Sequence, residues 1–183
     1  ICYIFDGLVF DEEISLVNLN NTEVVFKNCV FNRPIELKEG CIVSFINNTY
    51  FDKYGYYEGR AYSFLYGNCY YLKFINENFI NSHEDINPSR FSICVYSKNI
   101  DIINSNIEVN TSARLNGNDV KNDGGIYLES KKMVMNNSDI MASDILLNCE
   151  DVILSGKNSV VGSNRVSLVN NKDVLIRSIS ALG

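Results

Sequence analysis

Residues 100–107, IDIINSNI, contain the pattern that decides the fold. Apolar residues alternate at Ile100 and Ile102, Asn104 follows two residues later, and Ile107 is apolar again. Alternation with a period of two predicts a half-buried β-strand. An asparagine directly after such a strand predicts a sharp turn, because asparagine adopts the left-handed backbone more readily than most residues do.

The same pattern recurs along the chain. Regular copies begin at Val24, Val43, Leu72 and Met133, degenerate copies begin at Val152 and Val174, and an early copy is predicted from Cys2. Neighbouring copies from Val24 onward lie about 19 to 33 residues apart, which is typical of repeat architectures. The shortest intervals are too short for a strand–helix–strand unit, which needs roughly 30 residues. The turn asparagines are predicted to stack as one hydrogen-bonded ladder: Asn28, Asn47, Asn76, Asn104 and Asn137.

The repeat predicts an all-β fold, a right-handed parallel β-helix solenoid of about seven coils with asparagine-ladder corners. By its period and its turn asparagines the chain resembles the right-handed parallel β-helix, or pectin-lyase-like, superfamily. Its Asn-, Ile-, Lys- and Tyr-rich composition also resembles the large β-helical surface proteins of ciliates and similar protists. The first resemblance concerns the fold and carries no active site with it. We expect residues 1–183 to form a single segment of a longer protein.

Two stacks of buried side chains are expected inside this fold, because each copy is preceded by a second alternating apolar pair. The first predicted stack is Phe26, Phe45, Phe74, Ile102, Met135, Leu154 and Ile176. The second is Leu16, Leu37, Phe64, Val95, Leu128, Leu147 and Leu168.

Three insertions lengthen consecutive repeats at the same point, at residues 52–61, 82–91 and 110–125. Insertions of this kind often build the binding face of repeat proteins, although long surface loops are also tolerated at little cost. Tyrosine and arginine dominate binding hot spots. The predicted contact residues are therefore Tyr54, Tyr56, Tyr57, Arg60, Arg90 and Arg114.

Composition limits the partners. The net charge of −6 is dispersed and no basic stripe exists, which argues against nucleic acid. No apolar run is long enough to span a membrane. Glycosylation sequons at Asn20, Asn110 and Asn136 favour a secreted or cell-surface protein, although an asparagine-rich chain also produces such matches by chance. A disulfide between Cys41 and Cys69 is predicted from their equivalent places in adjacent repeats.

Catalytic residues do not emerge from the sequence. The acidic, histidine and arginine motifs of polygalacturonase-like enzymes are missing, the single histidine, His83, lies in an insertion, and no metal or cofactor site is predicted. The sequence therefore favours a non-enzymatic extracellular scaffold that presents loops for adhesion or assembly with partner proteins or glycans. The alternative is a polysaccharide lyase or glycoside hydrolase whose site lies partly outside this segment.

Overall fold

The structure is a computed structural model that describes residues 1–17, 19, 21–51, 63–84, 91–115, 118–122, 125–169, 173–177 and 180–182. These residues form strands and turns, without a helix. The strands are β1 Cys2–Asp6, β2 Val9–Phe10, β3 Ile14–Ser15, β4 Glu23–Lys27, β5 Val30–Phe31, β6 Ile35–Leu37, β7 Ile42–Ile46, β8 Thr49–Tyr50, β9 Leu65–Ile75, β10 Asn78–Glu84, β11 Phe91–Ile103, β12 Asn106–Leu115, β13 Asn118–Asn122, β14 Gly125–Asn136, β15 Asp139–Ser155, β16 Asn158–Val169, β17 Asp173–Arg177 and β18 Ser180–Leu182.

Fifteen of the strands belong to one large sheet, and β2, β5 and β8 form a small parallel sheet. Strands of successive repeats pair in parallel, so that Phe26 lies opposite Phe45, Phe45 opposite Phe74, and Phe74 opposite Ile102. The hydrophobic pattern sets this register, because a shift by one residue would turn the apolar side chains to the other face.

The predicted fold class was wrong. The strands form a large parallel sheet curled into a half-barrel and a separate small sheet, where the sequence predicted a right-handed parallel β-helix solenoid of about seven coils. Strands predicted as separate short elements merge, so that β11 has 13 residues and β15 has 17. The small sheet ends at β8, and the third insertion turns back as an antiparallel β12–β13 hairpin. Local periodicity predicts individual strands, but it does not show where neighbouring strands merge into one sheet.

The core lies within the curl of the large sheet. Parallel sheets are usually covered by helices, whereas the described strands of this chain bury their apolar faces against one another. The first predicted stack is confirmed from Phe26 to Leu154, because each residue is buried and lies opposite the next. Two positions of the second predicted stack were wrong. Leu37 and Val95 both lie opposite Gly67, so Gly67 takes the place predicted for Phe64, which is buried elsewhere in the core. Leu168 lies near the last strands of the sheet and is 38% exposed. Ile176 belongs to β17, but its side chain lies outside the described residues.

The early copy was predicted one residue out of register. Tyr3 pairs with Val24 and Phe5 with Phe26, so the inward residue of β1 is Phe5 and not Ile4. The Phe5 ring stacks on Phe26 at a centroid distance of 5.4 Å, while Ile4 is exposed. The turn after β1 is made by Gly7, with φ of 74°.

The five predicted turn asparagines share one backbone conformation, with φ between 47° and 54°. Their side chains are exposed at the end of successive strands. Asn47 Nδ2 donates to Asn28 Oδ1 at 2.7 Å, and Asn28 Nδ2 donates to Asp6 Oδ1 at 3.1 Å. The left-handed turn explains the asparagine after each strand, since asparagine tolerates this conformation better than other side chains of its size.

Replacing Gly156 with alanine is expected to lower the free energy of unfolding by about 2–3 kcal/mol. Gly156 has φ of 77°, and an added Cβ would fall on Asn137 Oδ1, which accepts a hydrogen bond from Lys157 N at 2.9 Å. Gly7 provides a matched control, because its φ is 74° but nothing lies within 4 Å of an added Cβ. Chemical denaturation of both variants measures the difference. An equal loss in the two variants would contradict a specific clash with Asn137.

Candidate binding groove

An open groove of about 800 Å³ lies on the outer side of the large sheet. It crosses β9, β11, β14 and β15 and reaches the turn before β7. These four strands and the turn are spaced about 4.8 Å apart, so the groove is roughly 19 Å long. The lining residues are Glu39, Gly40, Asn68, Cys69, Tyr70, Tyr96, Ser97, Lys98, Glu129, Ser130, Lys131, Asn148 and Glu150.

Side-chain alternation along the strands builds the groove. Cys69, Ser97 and Ser130 are short, nearly buried and form the floor. The residues on either side of each floor residue point outward, because successive side chains of a strand face opposite ways. Cys69, Ser97 and Ser130 themselves face inward, so the floor is the strip of backbone at these residues between two rows of outward side chains.

The first wall follows from the strand register. Tyr96 lies opposite Asn68 on one neighbouring strand and opposite Glu129 on the other, and Glu129 lies opposite Asn148. Asn148 Nδ2 donates to Glu129 Oε1 at 2.9 Å, which fixes both groups. Tyr96 is 43% exposed and its ring lies 5.6 Å from that of Tyr127. This wall presents an aromatic face, amides and a carboxylate on rigid strands.

The second wall carries Tyr70, Lys98, Lys131 and Glu150. Tyr70 is 44% exposed, and Lys98 Nζ lies 5.3 Å from the centre of its ring. A lysine over a tyrosine face gains a modest cation–π attraction at an exposed site. Both walls therefore combine one exposed tyrosine with charged and polar groups.

Two titratable groups of the groove, Tyr96 and Cys69, keep their protons at neutral pH because their pKa values are raised. Burial, reinforced by Cys94, Tyr127 and Glu129, raises the pKa of Tyr96, so its phenol keeps the proton at neutral pH. Burial likewise raises the pKa of the Cys69 thiol to about 11, although the Ser97 hydroxyl opposes the shift. A protonated phenol and a protonated thiol are poor bases and nucleophiles. These two groups can bind a ligand but are unsuited to attack it.

The Cys41–Cys69 disulfide prediction was wrong, because both residues are free thiols. Tyr70 N donates to Cys41 O at 2.8 Å, so Cys41 lies beside Tyr70 and Cys69 is one residue out of step. The Cys41 thiol donates to Leu19 O at 2.7 Å, and the Cys69 thiol lies 3.4 Å from Ser97 Oγ. The offset is already present in the sequence, because Cys41 lies two residues before Val43 whereas Cys69 lies three residues before Leu72, and Val43 pairs with Leu72.

Most of the predicted contact residues lie outside the described residues: Tyr54, Tyr56, Tyr57, Arg60 and Arg90. Arg114 lies in β12, opposite Asp119 of β13, and its side chain is not described. The third insertion is therefore a β-hairpin in its described part. Of the predicted glycosylation sites, Asn20 is not described, Asn110 lies in β12, and Asn136 is half-buried at the end of β14.

A row of buried polar side chains directly after the turn asparagines was not anticipated from the sequence. Each accepts a hydrogen bond from the backbone N–H of the equivalent residue in the preceding repeat. The bonds run from Cys29 N to Asn48 Oδ1, Asn48 N to Glu77 Oε1, Glu77 N to Ser105 Oγ, Ser105 N to Ser138 Oγ, and Ser138 N to Asn158 Oδ1, at 2.8 to 3.0 Å. The signal was present, because a residue able to accept a hydrogen bond follows nearly every turn asparagine.

Glu77 is the ionisable member of this buried row. Its side chain is 2% exposed, and its carboxylate accepts bonds from Asn48 Nδ2 at 2.9 Å, Tyr50 OH at 3.1 Å and Asn78 N at 3.2 Å, besides Asn48 N. Burial raises the pKa of Glu77, against the opposing effect of the donors on Asn48 and Tyr50. All four contacts join neighbouring parts of the chain, so Glu77 has a structural role.

The described residues contain no group of three or more His, Cys, Asp or Glu side chains suited to hold a metal ion. Within the same residues, no helix has the length and apolar character needed to cross a membrane.

In comparisons with known proteins, no family model matches the chain, and no curated protein or solved structure shows significant similarity to it. The resemblance to the pectin-lyase-like superfamily and to protist surface proteins therefore gains no support from relatives. The described residues define a class of protein built from strands and turns, with an aromatic and polar groove on its large sheet.

Proposed function

We propose that this chain is a non-enzymatic binding scaffold that holds an extended partner in the groove between Tyr70 and Tyr96. The observation that carries the proposal is the position of these two half-exposed rings on paired strands of one sheet. Binding sites on strands need little ordering, so less of the binding energy is lost on association.

Burial and charge support binding over catalysis. The raised pKa of Tyr96 keeps its hydroxyl a donor, and Asn148 engages Glu129 of the same wall. The alternative, a polysaccharide lyase or hydrolase, needs a base or a carboxylate pair with one protonated member. The described groove offers no specific support for that chemistry.

We also propose that the scaffold works outside the cell or at its surface, with surface proteins or glycans as partners. With the disulfide excluded, this location depends on the sequons at Asn20, Asn110 and Asn136 alone. The three insertions remain a second candidate contact surface, since most of their predicted contact residues are not described.

The double variant Tyr70→Ala/Tyr96→Ala is expected to weaken binding at least tenfold. Loss of a central aromatic contact commonly costs more than 1.4 kcal/mol, which is tenfold in affinity. The probes are immobilised panels of neutral oligosaccharides, acidic oligosaccharides and extended peptides, and mass spectrometry of each bound probe records any cleavage.

Met141→Ala is the control, because Met141 is 46% exposed on β15 of the same sheet and does not line the groove. Binding unchanged in the double variant would place the contact surface elsewhere, for example on the insertions. Cleavage of a probe by the unaltered chain, lost in the double variant, would establish the enzymatic alternative.

A further inference from the structure

We infer that the partner of the groove is an uncharged oligosaccharide lying along the row of paired strands. This inference deepens the proposed function and rests on it. It depends on three properties of the groove: its aromatic faces, its mixture of hydrogen-bonding groups, and its charge.

The aromatic faces fit sugar rings. Tyr70 and Tyr96 stand on opposite walls and on adjacent strands, so a chain running along the groove passes both rings. A tyrosine face is electron-rich, and it attracts the weakly positive C–H groups on the apolar side of a pyranose ring. The tyrosine hydroxyl at the rim provides a polar contact beside each stacked ring.

The polar groups fit hydroxyls. Asn68 and Asn148 offer amides with both donors and acceptors, Glu129 accepts, and the protonated Tyr96 donates. A sugar hydroxyl both donates and accepts, so it can pair with every one of these groups. A ligand with acceptors only, such as a sulfate or phosphate ester, would face the Glu129 carboxylate without a proton to share.

The charge disfavours a polyanion. Three glutamates and two lysines line the groove, and one of these lysines, Lys98, already lies over the Tyr70 ring. The whole chain carries a net charge of −6. An acidic polymer would therefore approach a surface of the same sign, whereas an uncharged sugar chain meets no such repulsion.

The inference is tested by isothermal titration of the purified chain with neutral gluco-, xylo- and manno-oligosaccharides, and with oligogalacturonate and heparin fragments as acidic probes. We expect binding of at least one neutral series, with an affinity that changes less than twofold between about 0.05 and about 0.5 M NaCl, because screening acts on charge pairs. Tyr96→Phe should retain most of this affinity, while Tyr96→Ala should lose at least tenfold.

Each outcome separates the inference from the proposed function. If the chain binds only acidic probes or peptides, and Tyr70→Ala/Tyr96→Ala loses this binding, the inference is wrong but the proposed function as a binding scaffold stands. Binding of no probe of any class overturns both. If the double variant still binds a neutral oligosaccharide, the groove is not the binding site. Thermal unfolding of every variant, compared with Met141→Ala, shows whether a loss of binding is accompanied by a loss of folding.

Discussion

Replacing Phe45 with alanine is expected to lower the free energy of unfolding by about 3–5 kcal/mol, the usual range for a buried phenylalanine. Phe45 is fully buried inside a column of four aromatic rings, Phe5, Phe26, Phe45 and Phe74. Its ring stacks between Phe26 at 5.5 Å and Phe74 at 5.6 Å. The alanine variant loses the buried area, leaves a cavity and removes both stacking contacts.

The position of Phe45 sharpens this prediction. Phe31 and Tyr50 of the small sheet also approach its ring, at 6.1 and 6.4 Å, so the column joins the two sheets. Phe45→Leu should recover part of the loss, because leucine refills some of the cavity without the stacking. Urea denaturation measures both variants, and Phe51→Ala is the control, since Phe51 is 50% exposed. Equal stability of Phe45→Ala and Phe51→Ala would contradict the packing of this column.

Replacing Glu77 with alanine is expected to cost about 3–5 kcal/mol, because it leaves several buried donors without an acceptor, each worth about 1–3 kcal/mol. The donors are Asn48 N, Asn48 Nδ2 and Tyr50 OH. Ser105→Ala removes the acceptor for Glu77 N and the donor to Ile103 O, and it should cost about 1–3 kcal/mol. Glu12→Ala is the surface control, and we expect a change within about 0.5 kcal/mol.

Glu77→Gln separates charge from shape. The amide places an N–H₂ group where the buried donors need an oxygen, so this variant should also be less stable than the unaltered chain. Because burial raises the pKa of Glu77, the native state takes up its proton more readily than the unfolded chain does. The stability that this proton uptake contributes is complete below the ordinary glutamate pKa of about 4.3 and is lost as the pH rises through the higher native value.

The pH dependence is measured as the difference in unfolding free energy between the unaltered chain and Glu77→Gln. As the pH falls from neutral, the unaltered chain should gain stability relative to the glutamine variant, and the gain should level off near pH 4. A difference that does not change with pH, or that shrinks on acidification, would show that Glu77 has a normal or lowered pKa in the native state.

The sequence alone determined the strands, the turns and most of the core. The alternation around Ile102 fixes which side chains face inward, and the asparagine after each strand fixes a left-handed turn, since both depend on neighbouring residues only. Phe26, Phe45 and Phe74 were identified as one buried column for this reason. The same argument went wrong at β1, where Tyr3 and Phe5, not Cys2 and Ile4, continue the pattern.

The tertiary structure decided which strands pair and which side chains lie next to each other across these pairs. The register between β9 and β11 sets Tyr70 and Tyr96 on opposite walls of a groove, although the chain between them carries no local sign of a site. The pairing of neighbouring repeats likewise brings the Glu77 carboxylate into contact with Asn48 and Tyr50. These features depend on contacts between residues about 20 to 30 positions apart in the sequence. Periodicity predicts the strands that make such contacts, but it does not predict which side chains the strands bring together.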